Sequence, residues 1–155
     1  MVTFNIKSSP LVWTLCILAL FHASHAIGRD EVITRAETWL NPPVPYSQSA
    51  YKDGYRTDCS GYVSMAWNTG TSYTTQSLVG VTTAIAKGDL KKGDILLKSG
   101  SHVVIFHSWA NSGQTRYLGY EQVGGKIGKT KKWNIPYPYW NGATGYQSRR
   151  YNNIA

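Results

Sequence analysis

Cys59, His102 and His107 are the residues of this chain whose types and spacing could carry nucleophilic chemistry. Cys59 lies in the segment Asp58-Cys59-Ser60-Gly61-Tyr62-Val63, and His102 and His107 share one β-branched run further along the chain. A cysteine thiolate is a nucleophile, and a neighbouring imidazole can act as its general base. We therefore expect covalent chemistry at Cys59, with one of the two histidines as the base.

The first 26 residues have the pattern of a cleaved signal peptide. Lys7 supplies a basic start, Leu11 to Phe21 form an apolar core, and small residues lead up to Ala26. The core is too short to span a bilayer, which takes roughly 18 or more apolar residues. We expect residues 1–26 to be removed and no integral membrane segment to remain.

Removal of this segment would leave residues 27–155 as one secreted domain. Cys16 would be lost, and Cys59 would then have no partner for an intramolecular disulfide. One cysteine and two histidines do not make a closed structural zinc site without several carboxylates, so we expect neither a metal nor another cofactor.

The chain is basic, with a formal net charge of +8 at neutral pH and four lysines between Lys126 and Lys132. A solvated loop explains this cluster, and so does attraction to an anionic surface such as a polymer-rich cell wall. Nucleic acid is a weaker partner class because the chain has no recognisable nucleic-acid motif. The aromatic residues after Val123 indicate sheet edge and core, or a platform for sugar rings. We expect a monomer.

The elements that must position Cys59 and the histidines come in the order helices first, strands afterwards. Apolar spacing of three and four predicts helices over Arg29 to Leu40 and Cys59 to Trp67, the second with one apolar face. Period-two patterns predict strands over 95–97, 102–107 and 116–123, and edge strands over 133–139 and 147–151. This order indicates an α+β domain with an antiparallel sheet against the helices.

The two histidines lie five residues apart in one predicted strand, so their side chains should point to opposite faces. We expect His102 to be the base, because it begins the strand beside Gly100 and Ser101, where a cleft can open. His107, next to Phe106, is expected to serve packing.

A third polar group usually fixes the tautomer of a catalytic histidine. Folding the predicted hairpin about residues 110–114 brings His102 opposite Glu121 or Gln122, and a change of register by one residue exchanges the two. We favour Glu121 because a carboxylate also stabilises the imidazolium. Gln122 and Asn111 stay open as alternatives.

Cys59 begins a predicted helix, where the helix dipole favours the thiolate over the thiol. Asp58 can cap this helix, and a role in substrate binding is equally open for it. Gly61 should allow another stretch of backbone, or a substrate, to come close.

Three segments resemble, in order and spacing, the NlpC-type cell-wall peptidases of the papain-like superfamily. They are Asp58 to Val63, Lys92-Gly93-Asp94-Ile95-Leu96, and His102 to Phe106. Upstream, Val44-Pro45-Tyr46 resembles the family's Pro-Tyr segment. The resemblance implies a papain-like fold and an endopeptidase that hydrolyses peptidoglycan stem peptides, often between γ-D-glutamate and a diamino acid.

By this resemblance Cys59 attacks the carbonyl carbon and His102 transfers the proton. Asp58 and Ser60 would hold a free N-terminus of the stem, and Tyr46 would line the cleft. The chain departs from the family at the third catalytic position, which is often a second histidine, and after the Pro-Tyr segment, where Ser47-Gln48 replaces a glycine pair. An amidase or acyltransferase with the same residues, or a non-catalytic wall-binding protein, is the alternative.

Overall fold

The structure, a computed structural model, describes residues 25–155. The predicted signal peptide therefore lies outside the described residues, except for its last two positions. Within residues 25–155, no helix is both long and apolar enough to cross a membrane.

Two α-helices come first in the described chain, α1 (Arg29–Glu37) and α2 (Cys59–Ala66). A small hairpin between them consists of β1 (Tyr51–Lys52) and β2 (Tyr55–Arg56). Six further strands form one sheet: β3 (Thr82–Ala84), β4 (Ile95–Lys98), β5 (His102–Trp109), β6 (Arg116–Val123), β7 (Lys129–Pro136) and β8 (Gln147–Tyr151). Their order across the sheet is β3-β8-β4-β5-β6-β7, and every neighbouring pair is antiparallel. The predicted α+β class, with helices against an antiparallel sheet, is confirmed.

Buried side chains cover both faces of the sheet. The first core joins the two helices to one face and contains Val103, Ile105 and Tyr120. The second core lies on the opposite face and includes Val104 and Phe106, with aromatic side chains of the C-terminal segment packed over it. Alternation along β5 assigns successive residues to the two cores, as expected for a strand buried on both faces.

Helix α2 is buried on every side, so its burial extends beyond the one apolar face that the spacing predicts. All eight of its residues are buried, because α1, β2, β5 and β6 surround it. The polar Ser64 in this helix has hydrogen-bond partners within the protein. Its hydroxyl donates to the Ser60 carbonyl oxygen at 2.8 Å and accepts from the Tyr73 N–H at 2.9 Å. The nucleophile candidate therefore stands on a fully enclosed helix.

Helix α1 ends at Glu37 rather than at the predicted Leu40. The Trp39 and Leu40 N–H groups donate to carbonyl oxygens three residues back, which tightens the chain after the helix ahead of Pro42. Trp39 remains fully buried, and its indole N–H donates to Asp53 at 2.8 Å. The predicted apolar stripe is present, but its last part lies beyond the helix.

Strand β8 is internal, and the prediction of an edge strand over these residues is wrong. Its Arg149 pairs with Ile95 of β4 and with Ala84 of β3. The predicted edge strand over 133–139 corresponds to β7, which does lie at the edge and ends at Pro136, a residue that cannot donate a hydrogen bond to a neighbouring strand.

The turn before β4 is held by the buried carboxylate of Asp94. Arg29 donates to Asp94 at 3.0 Å, Arg150 donates at 2.8 and 3.0 Å, and the Lys91 N–H donates at 2.8 Å. Asp94 therefore ties the first helix and the last strand to the strand that precedes β5.

Candidate functional site

Cys59 is the first residue of α2 and is 7% exposed. It has no disulfide partner among residues 25–155. Asp58 precedes it as the N-cap, and its side chain accepts a hydrogen bond from the Gly61 N–H at 2.8 Å. The predicted cap is confirmed, and it fixes the first turn of the helix beneath the thiol.

Gly61 is required by a close approach of backbone. A Cβ at this position would lie 1.9 Å from the carbonyl oxygen of Arg56 and 2.7 Å from its carbonyl carbon. Of the two readings of Gly61, close backbone contact is the one the structure shows. The contact presses β2 against the start of α2 and so sets the position of Cys59.

His102 is the first residue of β5, and its side chain is 16% exposed. Its Nε2 lies 2.6 Å from Glu121 Oε2, which leaves Nδ1 for the thiol. Burial lowers the pKa of His102, but hydrogen bonds and charge from Cys59 and Glu121 outweigh burial and raise this pKa to about 9. The imidazolium is thus the favoured form at neutral pH.

The choice between Glu121 and Gln122 follows from the alternation of side chains along β6. Tyr120 lies in the first core, and the Gln122 amide donates to the Val44 carbonyl oxygen at 3.1 Å. Glu121 points to the other face, where it is fully buried and contacts His102. The predicted contact is present, and Gln122 is engaged elsewhere.

Two aromatic donors that sequence reasoning missed hold the Glu121 carboxylate. The Trp133 indole N–H donates to Oε1 at 2.5 Å, and the Tyr139 hydroxyl donates to Oε2 at 2.7 Å. The Tyr139 ring also lies 5.2 Å from the His102 ring, centroid to centroid. Both residues belong to the aromatic region after Val123. Nothing in the sequence indicated that their N–H and O–H groups would bind the Glu121 carboxylate.

The two histidines lie on opposite faces of the sheet as predicted, but His107, and not His102 as expected, is the one on the face that carries the Cys59 helix. Alternation places His107 on the face of the first core, with its ring 5.9 Å from Tyr120, which is the helix side of the sheet. His102 lies instead beside Tyr139, which packs against the second core. His102 reaches Cys59 because it begins the strand, at the end of the sheet where α2 also begins.

The predicted substrate-binding residues lie together in a cleft of about 350 Å³ that opens onto Cys59. Tyr46, Asp58 and Ser60 line this cleft. Tyr46 is held by its N–H, which donates to the Gly128 carbonyl oxygen at 2.8 Å, and its ring packs on Gly124. The structure therefore brings together all six residues predicted for the site.

Arg56 is a further cleft residue that sequence reasoning missed. Its Nε forms a short ion pair with Asp58 Oδ2, and this hydrogen bond raises the pKa of Arg56. Its Nη2 donates to the Ser60 hydroxyl at 3.2 Å and to the Tyr73 carbonyl oxygen at 2.9 Å. Its position two residues before Asp58 was a weak signal, because only the turn into α2 brings the side chains together.

The aromatic C-terminal region serves chiefly as sheet edge and second core. A shallow apolar depression of about 270 Å³ remains open between Ile127, Trp133, Trp140 and Asn141. Among residues 25–155 no group of three or more His, Cys, Asp or Glu side chains is arranged to hold a metal ion.

A scan against protein-family models found no match to the chain, and a search of curated proteins found no relative. The geometry of the site and the fold class are therefore the observations from which a function can be inferred.

Proposed function

We propose that this protein is a secreted cysteine endopeptidase with a papain-like fold, similar to the NlpC-type peptidases, that hydrolyses peptidoglycan stem peptides. The observation that carries the proposal is the chain of contacts from Cys59 through His102 to the buried Glu121. A thiol at a helix N-terminus, an imidazole and an orienting carboxylate are the parts that acyl transfer through a thioester requires.

In the acylation step the Cys59 thiolate attacks the scissile carbonyl carbon and forms a C–S bond. The Cys59 backbone N–H, in the first turn of α2, has no partner within the helix and can stabilise the oxyanion, a contribution of about 3 kcal/mol per donor. The His102 imidazolium then gives its proton to the leaving amine as the C–N bond breaks.

In the deacylation step neutral His102 takes a proton from water, and the resulting hydroxide attacks the thioester. The acid product leaves, and the thiolate–imidazolium pair is restored. Glu121 holds Nε2 of His102 throughout, which keeps Nδ1 directed at the reacting atoms.

Three features support cell-wall peptide as the substrate. The segments around Cys59, Asp94 and His102 resemble the NlpC-type peptidases, in which the bond between γ-D-glutamate and a diamino acid is often cleaved. The net charge of +8 favours attraction to anionic wall polymers. The cleft itself is polar and open, as a peptide backbone requires.

Digestion of purified peptidoglycan tests the proposal with a matched pair of histidine variants. We expect Cys59→Ala and His102→Gln to reduce the release of fragments by more than about 10³-fold, whereas His107→Gln retains activity. Equal release by the wild-type protein and Cys59→Ala would remove Cys59 as the nucleophile. Mass spectrometry of the products identifies the bond, and cleavage between sugar and peptide would replace the endopeptidase by an amidase.

A further inference from the structure

The cleft beside Cys59 carries a charge arrangement that bears on the substrate. We propose that it accepts an uncharged, N-acylated peptide segment rather than a free N-terminal amine. This inference rests on the proposed function, and it departs from the role that the resemblance implies for Asp58 and Ser60.

The first observation is that both oxygens of Asp58 are already occupied. Oδ2 is paired with Arg56, while Oδ1 accepts from the Gly61 N–H at 2.8 Å and from the Ser60 hydroxyl at 3.4 Å. A carboxylate that is neutralised by a guanidinium and already accepts three hydrogen bonds offers little to an incoming ammonium group. Asp58 thus serves as a cap and as the partner of Arg56.

The second observation is that Arg56 is fixed in the cleft. Its side chain is 17% exposed, and its hydrogen bonds to Ser60 and to the Tyr73 carbonyl oxygen hold it in place. An ammonium group entering the cleft would lose its own hydration and lie close to this cation. Both effects act against binding of a free amine.

The third observation is that the rest of the lining, apart from the nucleophile Cys59, is uncharged and rich in hydrogen-bonding groups. It includes Tyr46, Gln48, Thr75, Gln76 and Ser101. Hydroxyl and amide groups of this kind match the carbonyl oxygens and N–H groups of an amide-linked chain. Such a chain is present where a stem peptide is still joined to the glycan through its first residue.

The inference assigns the enzyme to a particular step in the degradation of the wall. The enzyme would act on stems that are still attached to the glycan, and no prior amidase step would be needed to expose an amine.

Two synthetic stem peptides that differ only in an acetyl group on the N-terminus test the inference. At pH 7 we expect the wild-type kcat/KM to favour the acetylated peptide by at least about tenfold, which corresponds to about 1.4 kcal/mol. The preference should shrink above about pH 8, where an α-amino group loses its proton. Because both peptides are measured on one preparation, a partly misfolded fraction does not affect the ratio.

Variants of Arg56 test whether the guanidinium causes the preference. Arg56→Gln leaves Asp58 as an unpaired carboxylate, so the ratio should move at least about tenfold toward the free amine. Arg56→Lys keeps the positive charge and should still favour the acetylated peptide. Equal kcat/KM for the two peptides, or a ratio unchanged by Arg56→Gln, would overturn the inference and leave the proposed function intact.

Binding to the Cys59→Ala protein separates this inference from the failure of the proposed function. Titration calorimetry should show tighter binding of the acetylated peptide, whether or not the wild-type protein cleaves it. Tighter binding of the free-amine peptide overturns the inference alone, and binding of neither peptide overturns the inference together with the proposed substrate class.

Discussion

Replacing Glu121 with glutamine should lower the pKa of His102 and narrow the pH range in which its imidazolium form is favoured. Glu121 contacts His102 at 2.6 Å from a fully buried position, so its charge acts with little screening by solvent. Glutamine has nearly the same shape but no charge. The substitution therefore removes the electrostatic support of the imidazolium while largely keeping the packing.

The size of the effect follows from the balance at His102. Its pKa is raised from 6.5 to about 9, which corresponds to about 3 kcal/mol in favour of the imidazolium. Burial opposes this shift, so the support from Cys59 and Glu121 together exceeds that figure. Each partner supplies one hydrogen bond and one charge, and we expect the loss of the Glu121 charge to lower the pKa by at least about one pH unit.

The sign of the pH dependence is defined by the raised pKa. The contribution of His102 to folding stability is fully present below pH 6.5 and is lost as the pH rises through about 9. In Glu121→Gln that loss should occur at lower pH.

NMR titration of the histidine ring protons between pH 5 and pH 10.5 measures the shift directly. Burial lowers the pKa of His107, so its resonance should titrate well apart from that of His102. Glu37→Gln is the matched control, because it makes the same change of side chain at a carboxylate that binds Tyr120 and Lys132 rather than His102. A His102 titration with the same midpoint in Glu121→Gln and the wild-type protein would refute the reasoning.

Three further substitutions test the surroundings of the site, with unfolding in denaturant as the measurement. Gly61→Ala places a methyl group 1.9 Å from a backbone carbonyl oxygen and should lower the free energy of unfolding by about 3 kcal/mol or more. Gly80 has open space around it, so Gly80→Ala should lower the free energy of unfolding far less. Equal effects of the two substitutions would contradict the role of the close approach. Asp94→Ala leaves two arginines without their buried partner and should lower the free energy of unfolding by about 3–5 kcal/mol. Asp30 is exposed, so Asp30→Ala should change stability little. An unchanged unfolding midpoint for Asp94→Ala would contradict the role of Asp94 in joining the first helix and the last strand to β4. Tyr139→Phe removes one donor to the buried carboxylate and should cost about 1.5–3 kcal/mol, and wild-type stability would show that this hydrogen bond contributes nothing.

The regular elements could be predicted because their periodicity is local. The strand over 116–123 occurs with the predicted bounds. The strand over 147–151 also does, although its sequence Gln-Ser-Arg-Arg-Tyr has no β-branched residue and no apolar alternation. The hairpin of β1 and β2 was not predicted, because strands of two residues have no period to detect. Strand β7 begins at Lys129 rather than at the predicted Trp133. Its first residues were not predicted as strand because they are rich in lysine, which is uncommon in strands.

The candidate site was predictable by residue type but not by the contacts that complete it. Cys59 and His102 stood out because few other residues could perform such chemistry. Glu121 could be ranked above Gln122 but not fixed, because a shift of one residue in the register exchanges the two. The aromatic donors to Glu121 and the pairing of Arg56 with Asp58 depend on loop geometry, which no local pattern encodes.

The internal position of β8 has a consequence for how the chain reaches its final form. Until residues 147–151 are made, β3 and β4 have no strand between them, and both present unpaired edges. The sheet therefore cannot be completed before residues 147–151 pair with both neighbouring strands, and long-range pairings of this kind form slowly. Deletion of the last nine residues should accordingly yield not a smaller domain but a species with two open strand edges that aggregates.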